Sequence, residues 1–317
     1  MKIAIIHKEK CKPEHCGHVC MKACPINKKG DECIKIEGKA LIDEKLCIGC
    51  SICQKRCPFG AIDIINIPSI EDQRLIYRYG SNGFALYGLP IPRENTILGL
   101  LGRNGIGKST AIEILSGKKK INFGLSSLND CGASGEEIRK YLQGTELLKY
   151  FDSLEGKKIS YKPQNLSFLF VDVKAIELLK QRGSEEEIRK IAEKLGVEKM
   201  LDSKLDKLSG GELQKIAIIA AAVSESDIYF FDEPLAFLDI AERIRVSDFI
   251  RELARGKNVI VVEHDLLMLD YLAEYLNIFY GQSGCFGLIS GIKSTRYGIN
   301  SYLGGFLKEE NLRIRDK

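Results

Sequence analysis

No stretch of this sequence is apolar for long enough to cross a membrane. The longest uninterrupted apolar run beside a motif, Ile216 to Val223, falls far short of the ~20 residues a spanning helix needs, so a transporter's own membrane domain is not expected here. The opening Met-Lys-Ile-Ala-Ile-Ile-His-Lys lacks the long apolar segment and small-residue cleavage site of a secretory leader, and the thiols are therefore expected in a reducing cytosol rather than in disulfides. A large excess of one charge is also missing: 47 Lys and Arg stand against 43 Asp and Glu, a net charge of +4. The resulting pI near 8.4 permits contact with RNA without requiring it. Nothing in the composition points to disorder, since 44% apolar and 28% charged residues over 317 positions are ordinary for one small domain plus one full α/β domain. No flavin motif, resolving thiol pair or second redox site is visible.

What the chain has in quantity is cysteine near its start. Cys47-Ile-Gly-Cys50-Ser-Ile-Cys53-Gln-Lys-Arg-Cys57-Pro58 has the spacing in which three thiolates cap one [4Fe–4S] cube and the fourth reaches a second cube. Upstream lies a less regular array, Cys11, Cys16, Cys20 and Cys24-Pro25. By the cross-ligation rule Cys11, Cys16, Cys20 and Cys57 would hold one cluster, and Cys24, Cys47, Cys50 and Cys53 the other. Zinc sites and disulfide frameworks also use paired cysteines, but rarely four at this spacing followed by proline. Cys33, Cys131 and Cys285 read as small buried hydrophobes. Nine lysines, from Lys2 to Lys39, crowd the first forty positions, suited either to a phosphate backbone or to a solvated surface. The segment Ala61-Ile-Asp-Ile-Ile-Asn then runs to Ile67-Pro68, a proline that suits a domain edge.

A second set of motifs follows in one order. The apolar strand Ile97 to Leu101 leads into Gly102-Arg-Asn-Gly-Ile-Gly107-Lys108-Ser109-Thr110, a phosphate loop between a strand and an amphipathic helix. In it Asn104, Gly105, Gly107 and Thr110 belong to the backbone cradle, Lys108 reaches the β- and γ-phosphates, and Ser109 ligates Mg²⁺. Gln164, in Tyr-Lys-Pro-Gln, is placed to sense metal and water. Leu208-Ser209-Gly210-Gly211-Glu212 opens a helix whose N-terminus can grip an anion. The apolar run Asp227 to Phe231 ends in Asp232-Glu233, with Asp232 expected to hold Mg²⁺ and Glu233 to orient and deprotonate water. His264, after the apolar strand Asn258 to Glu263, can hydrogen-bond a γ-phosphate.

Together these residues resemble the ATP-binding cassette family over roughly Ser69 to Tyr280. With the cysteine-rich front end, the chain is similar to that family's E subfamily, the RNase L inhibitor or ribosome-recycling ATPases. The stretches that carry this include Cys47-Ile-Gly-Cys-Ser-Ile-Cys, Arg78-Tyr-Gly-Ser-Asn-Gly-Phe, Gly88-Leu-Pro-Ile-Pro-Arg and Gly144-Thr-Glu-Leu. The resemblance implies an α/β phosphate-loop ATPase fold behind an α+β ferredoxin-like domain, with boundaries at 1–67, 68–282 and a hinge-like 283–317. It assigns Tyr79 and Phe84 to adenine stacking, Asp239 to the loop after Leu238, and 138–154 to a helix-loop-helix insertion that touches the ribosome. It implies ATP, Mg²⁺ and two [4Fe–4S] clusters as cofactors. As partners it implies the small ribosomal subunit with its rRNA, release-factor-like proteins, and a second cassette packed head to tail.

Family members continue into that second cassette, whereas this sequence stops after one, so the expectation is that another chain supplies it or that the sequence is a piece of a longer protein, rather than that the chain pairs with itself. Lys215 in place of the family's Arg, and Pro234-Leu-Ala-Phe in place of Pro-Ser-Ser, are milder departures. The expected function is ATP-driven splitting of ribosomes in the cytoplasm. The alternatives are a redox-coupled ATPase or cluster scaffold, and the energy subunit of a transporter.

Overall fold

A strand that is apolar along its whole length belongs inside a layer covered on both faces, which is how parallel sheets are built. Ile97–Leu101, Ile228–Asp232 and Asn258–Val262 are buried at every position, and all three pair in parallel. The computed structural model describes residues 2–66, 74–125, 128, 131–154 and 156–314. These fall into two compact units, one of Met1–Gly88, Lys120–Ser134 and Gly281–Leu288, the other of Leu89–Lys119, Gly135–Tyr280 and Ile289–Lys317. The boundary expected at Ile67-Pro68 lies outside the described residues.

In the larger unit the parallel sheet runs in the order Ile159–Lys162, Ile228–Asp232, Asn258–Val262, Ile97–Leu101 and Tyr275–Gln282. Helices Lys108–Leu115, Gly210–Ala222, Ile240–Leu253 and Leu266–Leu272 connect or flank these strands. The last three of these helices, the helix Glu185–Leu195 and the sheet share one core that includes Leu101, Ile188, Leu213, Ile218, Phe231, Val246, Val261 and Leu269. Glu185–Leu195 is stopped by Gly196 at φ 67°, a backbone region where glycine carries no steric cost. The segment expected as an insertion forms two helices, Gly135–Tyr141 and Glu146–Ser153, and Thr145 caps the second by accepting from Leu148 N. Of the C-terminal segment, Lys293–Ser294, helix Thr295–Gly304 and the hairpin Phe306–Leu307 with Leu312–Arg313 belong to this unit.

The smaller unit has little regular structure. Lys2–Ile6 pairs antiparallel with Ile62–Asn66 and Ile34–Glu37 with Lys39–Ile42, while short helices carry Cys16, Cys20 and Cys53. Leu75–Arg78 pairs with Ala85–Tyr87, which also pairs with Phe286–Ile289. The unit is pinned by polar side chains from outside the cysteine segment. Arg78 donates to both oxygens of Glu44 at 2.6 and 2.8 Å and to Ala4 O at 3.1 Å. Asn82 accepts from Ile42 N and donates to Ile42 O and Ala4 O. Asn122 closes the turn back onto Arg78 through both of its backbone groups.

Among the described residues no helix is long and apolar enough to cross a membrane. Two of the three isolated cysteines depart from expectation. Cys131 is exposed, lying in a turn rather than in an element. Cys285 is buried but touches polar groups rather than a purely apolar surround.

Candidate functional site

In the larger unit the strand ends of the parallel sheet bring the expected cassette residues together. Gly105 and Gly107 stand at φ 70° and 99°, the left-handed conformations a phosphate-cradling loop demands. Lys108 opens the following helix, is buried, and donates from Nζ to Gly102 O at 2.8 Å and Arg103 O at 2.9 Å. Burial drives its amine down to about 8, against the pull of Glu233 and Asp232. An arriving anion would restore its full charge. Asn104 and Thr110 lie in the same loop and helix start.

Asp232 ends its strand almost fully buried. Burial raises its carboxyl, and a hydrogen bond with Ser109 opposes that rise. Its Oδ1 is buried with no protein partner among the described residues. A buried carboxylate oxygen left over beside a serine hydroxyl fits a hydrated divalent cation, so Asp232 and Ser109 are suited to Mg²⁺.

Glu233 is held from three directions. Its backbone is left-handed at φ 49°, a conformation that costs a non-glycine residue energy and collects at functional positions. Its Oε1 accepts from Gln164 Nε2 at 2.9 Å and meets His264 Nε2 at 3.0 Å. Its carbonyl accepts from Lys162 Nζ at 3.1 Å and from Gln214 Nε2. Burial, then Lys108, lowers His264, which keeps the imidazole neutral and able to donate to the carboxylate.

Three residues of this arrangement are not among the expected ones. Lys162 is buried, is driven by burial down to about 8, and also donates to Asp232 O at 2.8 Å. Gln214 reaches Glu233 from the helix Gly210–Ala222. Glu263 accepts from Leu235 N at 2.9 Å and His264 N at 3.3 Å, and burial pushes it up to about 7. One signal was available in sequence: a lysine closing the strand Ile-Ser-Tyr-Lys just before Pro163-Gln164.

Ser209 caps the helix Gly210–Ala222 through a reciprocal box with Glu212, whose carboxyl is lowered by the Ser209 backbone and side-chain hydrogen bonds. This arrangement fixes the start of the helix with Gly210 and Gly211 in its first turn. Gly211 has no room for a side chain, since a Cβ there would lie 2.9 Å from Phe237 O. Asp239 caps Ile240–Leu253 by accepting from Glu242 N, and Lys215 is buried in an ion pair with Glu242. Phe237, from the departing Pro-Leu-Ala-Phe, is left-handed and 80% exposed.

In the smaller unit Tyr79 and Phe84 close one turn, Tyr79 N donating to Phe84 O at 3.0 Å, with their rings tilted at 6.3 Å. The cysteines gather there in two groups. Burial raises the Cys20 thiol, and Cys16, Cys57 and Cys11 add to the rise from nearby. Burial pushes Cys53 up to about 11, with Cys47 and Cys50 beside it. Cys24, Cys47, Cys50 and Cys53 line one cavity, and the ninth cysteine, Cys33, shares its wall. Two sets of four soft donors are the chemistry that [4Fe–4S] cubes take, and this donor set fits them.

Comparisons with known proteins match this division. A "4Fe-4S binding domain" model matches residues 40–63, a "Possible Fer4-like domain in RNase L inhibitor, RLI" matches 1–32, and an "ABC transporter" model matches 92–236. The chain is 44% identical to ABC transporter E family member 1 of Arabidopsis thaliana over 100% of its length, and 43% identical to translation initiation factor RLI1 of Saccharomyces cerevisiae over 99%. It covers 53% of each, so it spans about half the length of these curated relatives. Among solved structures, it superposes on a chain of a model of ribosome-bound archaeal Pelota and ABCE1 with a TM-score of 0.90 and 42% identity, covering 99% of this chain and 54% of that one. Cassettes of transporters at 20% identity share the fold of the larger unit. With an iron–sulfur front end and a phosphate-loop α/β cassette matched along nearly its whole length, the chain belongs to the E family of ATP-binding cassette proteins, the RNase L inhibitor family.

Proposed function

We propose that this chain is the cluster-bearing half of an ATP-hydrolysing factor that splits ribosomes into subunits in the cytoplasm, and that a second cassette completes it. The observation that carries this reading is the continuity of the likeness. Identity of 42% with the chain of the ribosome-bound structure extends over 99% of this chain, so cluster unit and cassette are shared together.

The residues supply the chemistry as follows. The phosphate loop and Lys108 bind the nucleotide's phosphates, and Tyr79 and Phe84 stack on its base. Ser109, Asp232 and Gln164 would hold Mg²⁺, which would neutralise phosphate charge when bound. Glu233 takes the proton of the attacking water, its carboxylate steered by Gln164 and by neutral His264. Ser209, Gly210, Gly211 and Asp239 face the nucleotide of the opposing cassette. The clusters, held by Cys11, Cys16, Cys20 and Cys57 and by Cys24, Cys47, Cys50 and Cys53, make a small unit rigid enough to push. Cassette closure moves that unit against the small subunit and its rRNA, with a release-factor-like protein on the same ribosome.

Sedimentation of archaeal ribosomes with ATP tests this, using the chain alone, a second cassette supplied separately, and both. Subunits should separate only with both. Splitting by the lone chain would overturn the need for a second cassette, and none with both would overturn the function.

A further inference from the structure

Away from the two groups of cysteines and the nucleotide residues, three different donors converge within the smaller unit. His7 Nε2 lies 2.8 Å from Asp63 Oδ2, and the Cys285 thiol reaches the same Oδ2 at 3.6 Å. All three ligand atoms lie within 4.8 Å of one another. They come from positions far apart in the chain and each is held by its backbone. His7 N donates to Ala61 O at 2.9 Å, Asp63 sits in the ladder opposite Ile5, and Cys285 O accepts from Ala85 N at 3.0 Å. We propose that His7, Asp63 and Cys285 form a zinc site, separate from the iron–sulfur ligands, with a fourth position left to solvent.

Several features favour a cation over a plain hydrogen-bond cluster. Nitrogen, carboxylate oxygen and sulfur are the donors zinc takes, and three protein ligands leave the usual fourth place for water. Zinc bonds of about 2.0 Å to N and O and about 2.3 Å to S, at tetrahedral angles, put donors about 3.3 and 3.5 Å apart. The sulfur–oxygen separation is already there, and the nitrogen–oxygen pair needs to open by only about 0.5 Å. Outer partners are also in place. Gln54 Nε2 donates to Asp63 Oδ1 at 3.1 Å, leaving Oδ2 for the metal, and Glu9 Oε1 stands 3.7 Å from His7 Nδ1, close enough to accept its N–H after a small approach when Nε2 binds metal. Burial, then Asp63, pushes the Cys285 thiol up to about 12, while Lys10 acts the other way. A divalent cation bound there would displace the thiol proton, one proton leaving to solvent for each metal bound. The site would tie a turn at 285 to strands near the N-terminus.

The test uses the full chain prepared anaerobically with its clusters and dialysed against micromolar zinc. Elemental analysis should give one zinc in addition to an unchanged iron content, and His7→Ala, Asp63→Asn or Cys285→Ala should each weaken zinc uptake at least tenfold with iron unaltered. X-ray absorption at the zinc edge of the native chain, independent of any variant, should show one sulfur near about 2.3 Å among N and O neighbours near about 2.0 Å. Failure to take up zinc, unchanged zinc in Cys285→Ala, or an all-sulfur shell with iron lost would each overturn the proposal.

Discussion

The two compact units solve the same problem with opposite means. In the larger one, helices and a parallel sheet bury a continuous aliphatic and aromatic core. In the smaller one, the buried cluster is Ala4, Ile6, Ile34, Ala40, Ile42, Ala61 and Ile62 interleaved with Cys11, Cys20, Cys24, Cys33 and Cys53. So much of that core is thiol that metal binding and folding become one process there. The remaining rigidity comes from Arg78, Asn82 and Asn122 satisfying buried backbone groups. A packed core tolerates loss of a methylene by degrees, whereas a ligand set fails one cube at a time.

The sharpest way to break the comparison is at a cysteine. Cys50→Ser should take the iron content from about eight per chain to about four and leave the smaller unit open to protease, while the cassette still binds nucleotide. Cys33→Ser should keep about eight irons, because Cys33 Sγ donates to Asp43 O and is not among the eight assigned ligands. Iron analysis of both variants decides the assignment, and the reverse pattern would exchange the roles of the two cysteines.

Within the larger unit the largest expected loss is chemical rather than structural. Glu233→Gln, assayed with the second cassette present, should slow hydrolysis by about 10²–10⁴-fold while nucleotide binding and iron content stay in place. Native turnover in that variant would remove Glu233 as the base. A core change should do the converse. Ile218→Ala, at a side chain with no exposure in the helix Gly210–Ala222, should lower stability by about 2–5 kcal/mol, read from the denaturant midpoint of the helical signal, with the iron chromophore intact.

How much of this was legible from sequence follows the range of each interaction. The phosphate loop, Ser209-Gly210-Gly211 and the Cys47–Cys57 array could be read because each is a contiguous segment whose backbone shape and ligand spacing are local properties. Lys162, Gln214 and Glu263 could not, because what they do depends on the sheet bringing residues 162, 214, 233 and 263 to one place. The same applies to Asn122, which helps join 120–134 to the smaller unit by pairing with Arg78, beside Phe123 N donating to Ile76 O. Cys285 is the clearest case. Its environment comes from His7 and Asp63, more than two hundred residues away, and no local pattern announces them.

The smallest effect concerns the polar floor of the larger unit. Burial holds the Glu263 carboxyl up at about 7, above its ordinary value of 4.5, so between those two pH values the native state keeps a proton that the unfolded chain has lost. By linkage the contribution is fully present below about 4.5 and is lost as pH rises through about 7, with a slope of at most about 1.4 kcal/mol per pH unit. Glu263→Gln cannot ionise and keeps an oxygen to accept from Leu235 N or His264 N. Denaturant midpoints of the larger unit at pH 4.5, 6 and 7.5 should therefore fall less steeply, relative to one another, in the variant than in the parent chain. Taking the difference between the two proteins cancels every other titrating group. Parallel pH profiles would mean that Glu263 is already ionised across the window, with Lys162, which pulls its carboxyl down, outweighing the burial that pushes it up.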